Sequence, residues 1–323
     1  MRYAFIINSK CNPKKLRQLE DSIAMLDDDL RARIDLRYTY YPGHATELAT
    51  EYSEQHRDKV TIVACGGDGT VHEVVNALAY RSTPMAIIPI GTGNDFARTI
   101  YSKQYLKKPC SIITKLDSAK KYAIDLVRVD SYDVLGNHLP MWSEYYANVA
   151  SVGVDTQVQL QAKNIVRAKD TAFNRKTAYI QAIFKKFKQF AAFPMSYNLE
   201  VVGEDVNEVS TGEEFMLISM CNARYYGGGF NPAPSASIRD GVVNVCAVEK
   251  VSKLQIIYLL LLYRLGLHEK NPHFRTFKAT SGIITCDDAS FQLQGNYDGE
   301  DFFGHRMRFE VFPESLNLLT IDD

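Results

Sequence analysis

The residues best suited to chemistry lie in a glycine-rich turn, Cys65-Gly66-Gly67-Asp68-Gly69-Thr70, between a predicted strand and a predicted helix. Glycines let the backbone turn sharply and approach a ligand without a Cβ clash. The free N–H groups at the start of the following helix are suited to phosphate, and a carboxylate such as Asp68 is a ligand that Mg²⁺ prefers. The competing interpretation is a tight turn whose glycines serve packing alone. The turn favours a phosphate and metal site over that interpretation.

A second turn has the same design, with the sequence PIGTGNDFAR over residues 89–98. It also follows an apolar run, MAIIPI, and precedes a predicted helix. Two such turns can place Asp68 and Asp95 at the carboxyl edge of one parallel sheet, where open α/β sheets bind their ligands. Packing alone explains this coincidence poorly. No GxxxxGK[ST] motif occurs, which disfavours a P-loop nucleotidase.

The first 125 residues alternate apolar strand-like runs with amphipathic helical patterns. This alternation is typical of βαβ units and of a mostly parallel sheet that is covered on both faces. Strands are predicted at 3–8, 36–40, 60–65 and 85–90, and helices at 12–30, 45–56, 71–80 and 95–101.

The pattern changes after Asp125, where short strand-like runs are separated by Gly, Asn and Asp. Such punctuation predicts a second, antiparallel β-rich domain, and the domains are expected at 1–125 and 126–312. Strands are predicted at 126–130, 145–152, 196–202, 215–222, 242–248, 276–286, 290–293 and 307–312, interrupted by helices at about 155–192 and 251–268.

Composition narrows the class of protein. The 323 residues carry a net charge of −1, so no global basic field indicates a nucleic-acid partner. Six cysteines occur without a CxxC pair or metal-ligand spacing, as expected for free thiols in a reducing cytosol. The longest apolar run, 254–267, is shorter than the roughly 20 residues that span a bilayer. We therefore expect a cytoplasmic protein that meets membranes from one side, peripherally on the inner face, if at all.

The two turns, GGDGTVHEVVNAL and PIGTGNDFAR, resemble the catalytic domain of diacylglycerol kinases, which is similar to sphingosine kinases, ceramide kinases and bacterial lipid kinases. The resemblance extends over nearly the whole chain, with motifs in the same order. Further matching segments are TYYPGHATELA from Thr39, AIDLV around Asp125, NVASVGVD from Asn148, GGGFNPAPSASIRDGVVNV from Gly227, and Asp298-Gly299-Glu300.

The resemblance implies an α/β N-terminal nucleotide domain with a mostly parallel sheet and a C-terminal antiparallel β-sandwich that takes the lipid. The segment at about 313–323 is expected to return to the first domain. The implied nucleotide contacts are Asn8, Thr39, Gly66, Gly67, Gly69, Thr70, Gly91, Thr92 and Asn94. Asp68, Asp95 and Asp125 would hold Mg²⁺ directly or through water, and Asp125 and Glu300 are the implied catalytic residues, with Glu300 as general base.

The implied activity is Mg²⁺-assisted transfer of the γ-phosphate of ATP to a hydroxyl of diacylglycerol or a related lipid at a membrane surface. This assignment agrees with the chemistry, because phosphoryl transfer mainly needs positioning, charge neutralisation and a base near the nucleophile. The acceptor lipid is not readable from the sequence. The resemblance leaves a homodimer open.

One loop departs from the family pattern. The family has Asn-Pro-x-x-Gly after the first strand, whereas this chain has Asn8-Ser9-Lys10-Cys11-Asn12-Pro13. Lys10, Lys14 and Lys15 could face phosphate or anionic lipid, or belong to a solvated helix face. The helices predicted at 175–193 and 254–267 could likewise contact a membrane or pack on the sandwich, and packing is the favoured interpretation.

Two other functions fit the same scaffold. An NAD kinase also uses a GGDGT turn, but the late Asp-Gly-Glu and GTGNDFAR segments are more similar to lipid kinases. A catalytically silent regulator that binds nucleotide or lipid is the other alternative. The presence of Asp68, Asp95, Asp125 and Glu300 argues against it.

Overall fold

The computed structural model describes residues 1–169, 171–290 and 292–321. The chain forms two compact units, Met1–Leu126 together with the segment from Pro313 onward, and Val127–Phe312. Across the described residues, no helix combines the length and the apolar character needed to cross a bilayer.

The first unit is built on parallel strands in the order β2-β1-β3-β4. Strands β3 and β4 are buried along their whole length, which is typical of a parallel sheet covered by helices on both faces. The strands are β1 (Arg2–Asn8), β2 (Ile34–Thr39), β3 (Val60–Gly66) and β4 (Met85–Pro89). The helices are α1 (Pro13–Ala24), α2 (Asp28–Ala32), α3 (His44–His56), α4 (Asp68–Leu78), α5 (Asp95–Ile100) and α6 (Lys103–Lys107), with 3₁₀ turns at Arg57–Lys59 and Pro109–Ser118.

The single helix predicted at 12–30 is divided into α1 and α2. The side chain of Asp27 accepts a hydrogen bond from the backbone N–H of Leu30 at 2.8 Å and caps the start of α2. A short carboxylate that binds the backbone in this way favours a helix start over a helix interior. The break therefore has a local cause.

The last part of the chain packs on the first unit. The backbone N–H of Tyr80 donates to the carbonyl of Ser315 at 2.7 Å, and Leu318 lies opposite Met85 in parallel register. These contacts come from the second half of strand β14 (Arg306–Thr320). Residues 322 and 323 of the predicted returning segment lie outside the described residues.

The second unit is an antiparallel β-structure in the order β13-β12-β7-β9-β10-β11-β14. Strand β8 pairs with both β9 and β11, and β5 pairs with β6. The strands are β5 (Lys120–Tyr132), β6 (His138–Tyr146), β7 (Val149–Gly153), β8 (Phe193–Val201), β9 (Glu208–Cys221), β10 (Val243–Glu249), β11 (Phe274–Cys286), β12 (Leu293–Tyr297) and β13 (Glu300–Gly304). Their core holds the buried rings of Tyr146, Tyr197, Phe215, Phe302 and Phe309.

Three helices of the second unit share a separate apolar cluster with β9 and β10. They are α7 (Val154–Ala168), α8 (Ala172–Lys186), followed by a 3₁₀ turn at Phe187–Gln189, and α9 (Lys253–Leu265). The predicted fold class, an α/β unit with a parallel sheet and an antiparallel β-sandwich, is confirmed.

Several strand predictions were inaccurate: β9 begins at Glu208 rather than at 215, β14 continues to Thr320 rather than ending at 312, and β13 was not predicted. The strand expected at 145–152 is interrupted between β6 and β7, because the carboxylate of Asp298 accepts the backbone N–H groups of Ala147, Asn148 and Val149. The strand expected at 290–293 begins only at Leu293, and residue 291 lies outside the described residues.

Candidate active site

The predicted nucleotide residues of the first unit gather at one edge of its sheet. Because β1 to β4 are parallel, their carboxyl ends meet there, and Asn8 lies opposite Thr39 in the register of β1 and β2. The side-chain amide of Asn8 donates to Thr70 Oγ1 at 3.2 Å, which joins the end of β1 to the start of α4. Gly69 is the second residue of α4, and nothing lies within 4 Å of where its Cβ would stand.

The two glycine turns are in backbone contact. The N–H of Gly91 donates to the carbonyl of Gly66 at 2.9 Å. A Cβ added to Gly91 would lie 2.2 Å from the Cα of Gly67. The following Thr92 is exposed. Glycine is therefore required at this crossing because any side chain would collide with the other turn.

We expect Gly91→Ala to destabilise the first unit by about 1–3 kcal/mol or more, because the clash is with backbone and can be relieved only by separating the turns. Gly69→Ala is the matched control and is expected to be neutral or stabilising by up to about 1 kcal/mol, because its Cβ meets open space within a helix. Urea unfolding of both variants measures the difference. Equal stability of the two variants would show that the turns are not in contact.

Asn94 holds the second turn in its shape. It adopts a left-handed backbone conformation with φ of 53°, and its side-chain amide donates to the carbonyls of Pro89 at 3.2 Å and Gly91 at 3.1 Å. Its Oδ1 atom is buried and accepts no hydrogen bond from the described residues. Asn94 therefore positions the turn, and its buried oxygen leaves an acceptor at this edge.

The carboxylates of Asp68 and Asp95 are brought together. Asp68 Oδ1 accepts the backbone N–H of Asp95 at 2.7 Å and that of Phe96 at 3.3 Å. A Cβ added to Gly93 would lie 2.8 Å from Asp68 Oδ2 and 3.6 Å from Asp95 Oδ2. The two carboxylates therefore face the same space beside Gly93, which has room because Gly93 lacks a side chain.

Asp125 is buried near the end of the first unit's share of β5. Its Oδ1 accepts the backbone N–H of Glu314 at 3.0 Å. Within residues 1–169, 171–290 and 292–321, no three His, Cys, Asp or Glu side chains form a metal cluster. The protein thus presents a carboxylate pair, which suits Mg²⁺ because this ion commonly takes one or two carboxylates together with substrate phosphates.

Lys15 adds a cation to this edge. Its Nζ atom donates to the carbonyl of Gly91 at 2.6 Å, and burial lowers the pKa of its ammonium group. The side chain of Asn12 accepts the N–H groups of Lys14 and Lys15 and caps α1, whose first residue is Pro13. The sequence left the direction of Lys15 open. The Asn-Pro capping pair is the local signal that fixes where α1 begins and hence where Lys15 projects.

Glu300 follows a tight turn of the second unit. Asp298 and Gly299 have φ values of 48° and 95°, and they connect β12 to β13 with Tyr297 opposite Glu300. Asp298 accepts three backbone N–H groups at 2.9–3.1 Å, and Gln159 Nε2 donates to the carbonyl of Gly299 at 2.8 Å. Glu300 is exposed. The turn is thus fixed on both sides while the carboxylate of Glu300 faces solvent.

An apolar cavity of about 80 Å³ lies in the second unit beneath α7, α8 and α9. Aliphatic and aromatic side chains line it, including Val158, Ile183, Met216, Leu259 and Phe274. Among the described lining residues, Asp155 is the one with a carboxyl group, and the sequence did not single out its side chain.

Asp155 is 4% exposed and its environment is only partly polar. Its Oδ2 atom accepts hydrogen bonds from Ser151 Oγ and from Asn296 Nδ2, while Oδ1 has no hydrogen-bond partner among the described residues. Burial raises the pKa of this carboxyl group to about 6. Asp155 therefore gives the apolar cavity a hydrogen-bonding group at its wall.

Comparisons with known proteins show the fold and the family of this chain. The fold is that of diacylglycerol kinases and NAD kinases, as the solved structures below show. The model of the diacylglycerol kinase catalytic domain matches residues 2–129, and that of the YegS C-terminal NAD kinase beta sandwich-like domain matches residues 148–320. The chain belongs to the family of diacylglycerol kinases and YegS-like lipid kinases.

Several relatives are similar over most of their length. A diacylglycerol kinase of Staphylococcus saprophyticus is 29% identical over 84% of this chain and 81% of its own length. The "Probable lipid kinase YegS-like" of Pectobacterium atrosepticum is 26% identical, covering 93% and 90%. A crystal structure of a diacylglycerol kinase from Bacillus anthracis aligns with a TM-score of 0.68 at 19% identity over 99% and 96%. Yeast NADH kinase with NADH aligns with a TM-score of 0.52 at 10% identity over 100% and 84%.

Proposed function

We propose that this protein is a kinase that transfers the γ-phosphate of ATP to a hydroxyl group of diacylglycerol or a related lipid. The observation that carries the proposal is the pair of carboxylates, Asp68 and Asp95, beside the contact between the two glycine turns at the carboxyl edge of a parallel sheet. Membership in a family of lipid kinases supports phosphoryl transfer to a lipid as the reaction.

In this proposal the first unit binds ATP. The crossing of Gly67 and Gly91 exposes backbone rather than side chains, which lets phosphate oxygens approach closely. The N-terminal N–H groups of α4, an 11-residue helix, favour negative charge there. Lys15 contributes a positive charge next to Gly91. Asn8, Thr39 and Thr70 line the same edge.

Asp68 and Asp95 would hold Mg²⁺, with Asp125 acting directly or through water. When bound, the ion would neutralise charge on the phosphates. The protein's own contribution is to fix the two carboxylates, because Asp68 is held by the backbone N–H groups of Asp95 and Phe96. A preorganised pair needs little rearrangement when the charged phosphates arrive.

Glu300 would be the general base that takes the proton from the lipid hydroxyl. Its carboxylate is exposed on a turn that Asp298 and Gln159 hold in place. A base of this kind has to reach the acceptor hydroxyl within hydrogen-bond distance, so a fixed backbone beneath a free carboxylate suits the role.

The second unit would receive the apolar part of the lipid. Its cavity of about 80 Å³ is lined almost entirely by apolar side chains. It is smaller than the cavity of about 150 Å³ that holds benzene in another protein. In this proposal the cavity therefore has to enlarge to hold an acyl chain.

The proposal is tested with labelled ATP and Mg²⁺ over a panel of lipids in mixed micelles, with NAD as a further acceptor. The panel contains diacylglycerol, monoacylglycerol, ceramide, a sphingoid base and phosphatidylglycerol. We expect one lipid to be labelled by the wild-type protein, and no lipid to be labelled by Asp68→Ala or Glu300→Ala. Labelling of NAD alone would make the protein an NAD kinase, and nucleotide binding with no labelled acceptor would make it a silent regulator.

The buried carboxyl group of Asp155 predicts a pH-dependent stability. Its pKa is about 6 in the folded protein and roughly 3.9 in an unfolded chain. The protonated form is favoured by folding, so this contribution is complete below pH 4 and is lost as the pH rises through 6. The loss amounts to about 3 kcal/mol by pH 8.

We expect Asp155→Asn to remove this dependence, because asparagine stays neutral and keeps an acceptor for Ser151. Urea unfolding at pH 5 and pH 8 should show that the variant gains stability over wild type as the pH rises. Asp240→Asn, at a surface ion pair with Lys278, is the control and should show no such gain. An identical pH profile for wild type and Asp155→Asn would contradict the prediction.

A further inference from the structure

Helix α9 carries apolar side chains on two opposite faces. Ile256, Leu259 and Tyr263 are buried against the apolar cluster of the second unit. The outer face carries side chains that are each 54–85% exposed: Leu254, Ile257, Tyr258, Leu261 and Leu265. Leu254, Ile257, Leu261 and Leu265 follow at intervals of three or four residues, and Tyr258 lies one turn after Leu254, so the five form one stripe about 100° wide along the helix. A helix that is apolar all round is normally covered on every side.

The segments that contain α8 and α9 carry charge of one sign. No Asp or Glu occurs in residues 250–268, which include α9, or in residues 171–199, which include α8. Acidic residues are otherwise frequent, with 38 in a chain whose net charge is −1. The segments that contain these two helices therefore carry lysine and arginine but no carboxylate side chain.

The lysines of the two helices meet at one junction. Lys253 Nζ donates to the backbone carbonyl of Lys188 at 2.9 Å, which connects the start of α9 to the 3₁₀ turn that follows α8. Lys185, Lys188 and Lys253 are exposed. Phe184, next to Lys185, is 78% exposed. An exposed apolar stripe thus begins beside a group of positive charges.

We propose that the outer face of α9 docks on a bilayer that contains anionic phospholipid, with the lysines at the junction of α8 and α9 contacting the headgroups. Apolar side chains that enter the headgroup boundary beside lysines are the pattern of interfacial helices. A second copy of the chain is the less suitable occupant, because stable protein interfaces use about 20–30 residues a side and this stripe has five.

The inner face of α9 connects the proposed docking surface with the apolar cavity. Ile256, Leu259 and Tyr263 line the apolar cavity of the second unit. Helix α9 therefore separates that cavity from the surface that would meet the bilayer. The docking proposal rests on the proposed function, because the cavity would receive the lipid. Docking itself is measured without ATP and without turnover.

The test is sedimentation of the full chain with vesicles of phosphatidylcholine alone or with an equal amount of phosphatidylglycerol. We expect binding to the anionic vesicles, and at least a tenfold loss of partitioning in a variant carrying Ile257→Glu and Leu261→Glu. The matched control carries Leu135→Glu and Val206→Glu, two residues that are 83% and 79% exposed outside the helices, and should bind like wild type. Circular dichroism melting checks that each variant is folded.

The lysines are tested separately. Lys185→Gln with Lys188→Gln should weaken binding to anionic vesicles about fivefold or more and reduce its dependence on salt. Lys107→Gln with Lys108→Gln, two exposed lysines of the first unit, is the control.

Unchanged vesicle binding by the α9 variant would overturn the proposal. The proposal would also be overturned if the wild-type protein were a dimer, the α9 variant were a monomer, and neither protein bound vesicles. If the protein labels a lipid in detergent micelles but does not bind vesicles, the docking proposal is wrong and the proposed kinase activity stands. If the protein binds vesicles but labels no lipid, the docking proposal stands and the proposed kinase activity is wrong.

Discussion

Asp68→Asn is expected to lower kcat/KM for lipid phosphorylation by about a thousandfold, the size seen when a group that stabilises transferring phosphate is removed. Asparagine keeps an oxygen that can accept the backbone N–H groups of Asp95 and Phe96. The turn should therefore stay in place while one of the two converging negative charges is lost. Initial rates over a range of ATP and Mg²⁺ concentrations measure the effect.

The control for this prediction is Asp21→Asn, an exposed aspartate on α1 that should leave the rate unchanged. Urea unfolding should give the same stability for Asp68→Asn as for wild type within about 0.5 kcal/mol. A folded Asp68→Asn protein with near wild-type activity would remove Asp68 from the proposed metal site. A variant that loses activity and unfolds at lower urea would show that Asp68 acts mainly in the turn.

Glu300→Gln is expected to lower kcat by about 10²–10⁴-fold, because glutamine has the shape of glutamate but cannot accept the hydroxyl proton. The affinity for ATP should not change, since the proposed nucleotide contacts belong to the first unit. Rapid-quench measurements of phosphorylated lipid give kcat, and calorimetric titration with a non-hydrolysable ATP analogue gives the affinity. The two readouts separate a base from a nucleotide contact.

Asp301→Asn is the neighbouring control. Asp301 pairs with Lys163 at 2.9 Å and accepts from Gln159 at 3.1 Å, so its carboxylate supports the surface of the hairpin. We expect a small loss of stability and no large change in kcat. If Glu300→Gln retained full kcat, or if both variants lost it equally, Glu300 would not be the general base.

Much of the fold could be predicted because the local periodicity of apolar residues indicates helices and strands. Each strand of the parallel sheet was expected within two residues of its observed bounds. One failure came where a distant side chain binds the backbone: Asp298 interrupts the strand expected at 145–152. Such an interaction joins residues about 150 positions apart, and no local pattern reports it.

The candidate site divides in the same manner. A backbone that passes close to phosphate or to another backbone tolerates only glycine. The glycine turns and their aspartates were recognisable because these residues are neighbours in the sequence. Lys15 was left open, since its contact with Gly91 depends on how α1 packs against a loop 76 residues later. Asp155 was noted only within a matching segment, because its perturbed pKa comes from burial beneath helices.

The sequence by itself determined the class of fold and the two turns with Asp68 and Asp95, because these depend on short-range backbone geometry and residue type. Tertiary structure alone decided that the two aspartates converge beside Gly93, that Asp125 binds the backbone of Glu314, and that one face of α9 stays uncovered. Convergence, burial and exposure are properties of packing between distant segments, and packing is decided only when the whole chain has folded.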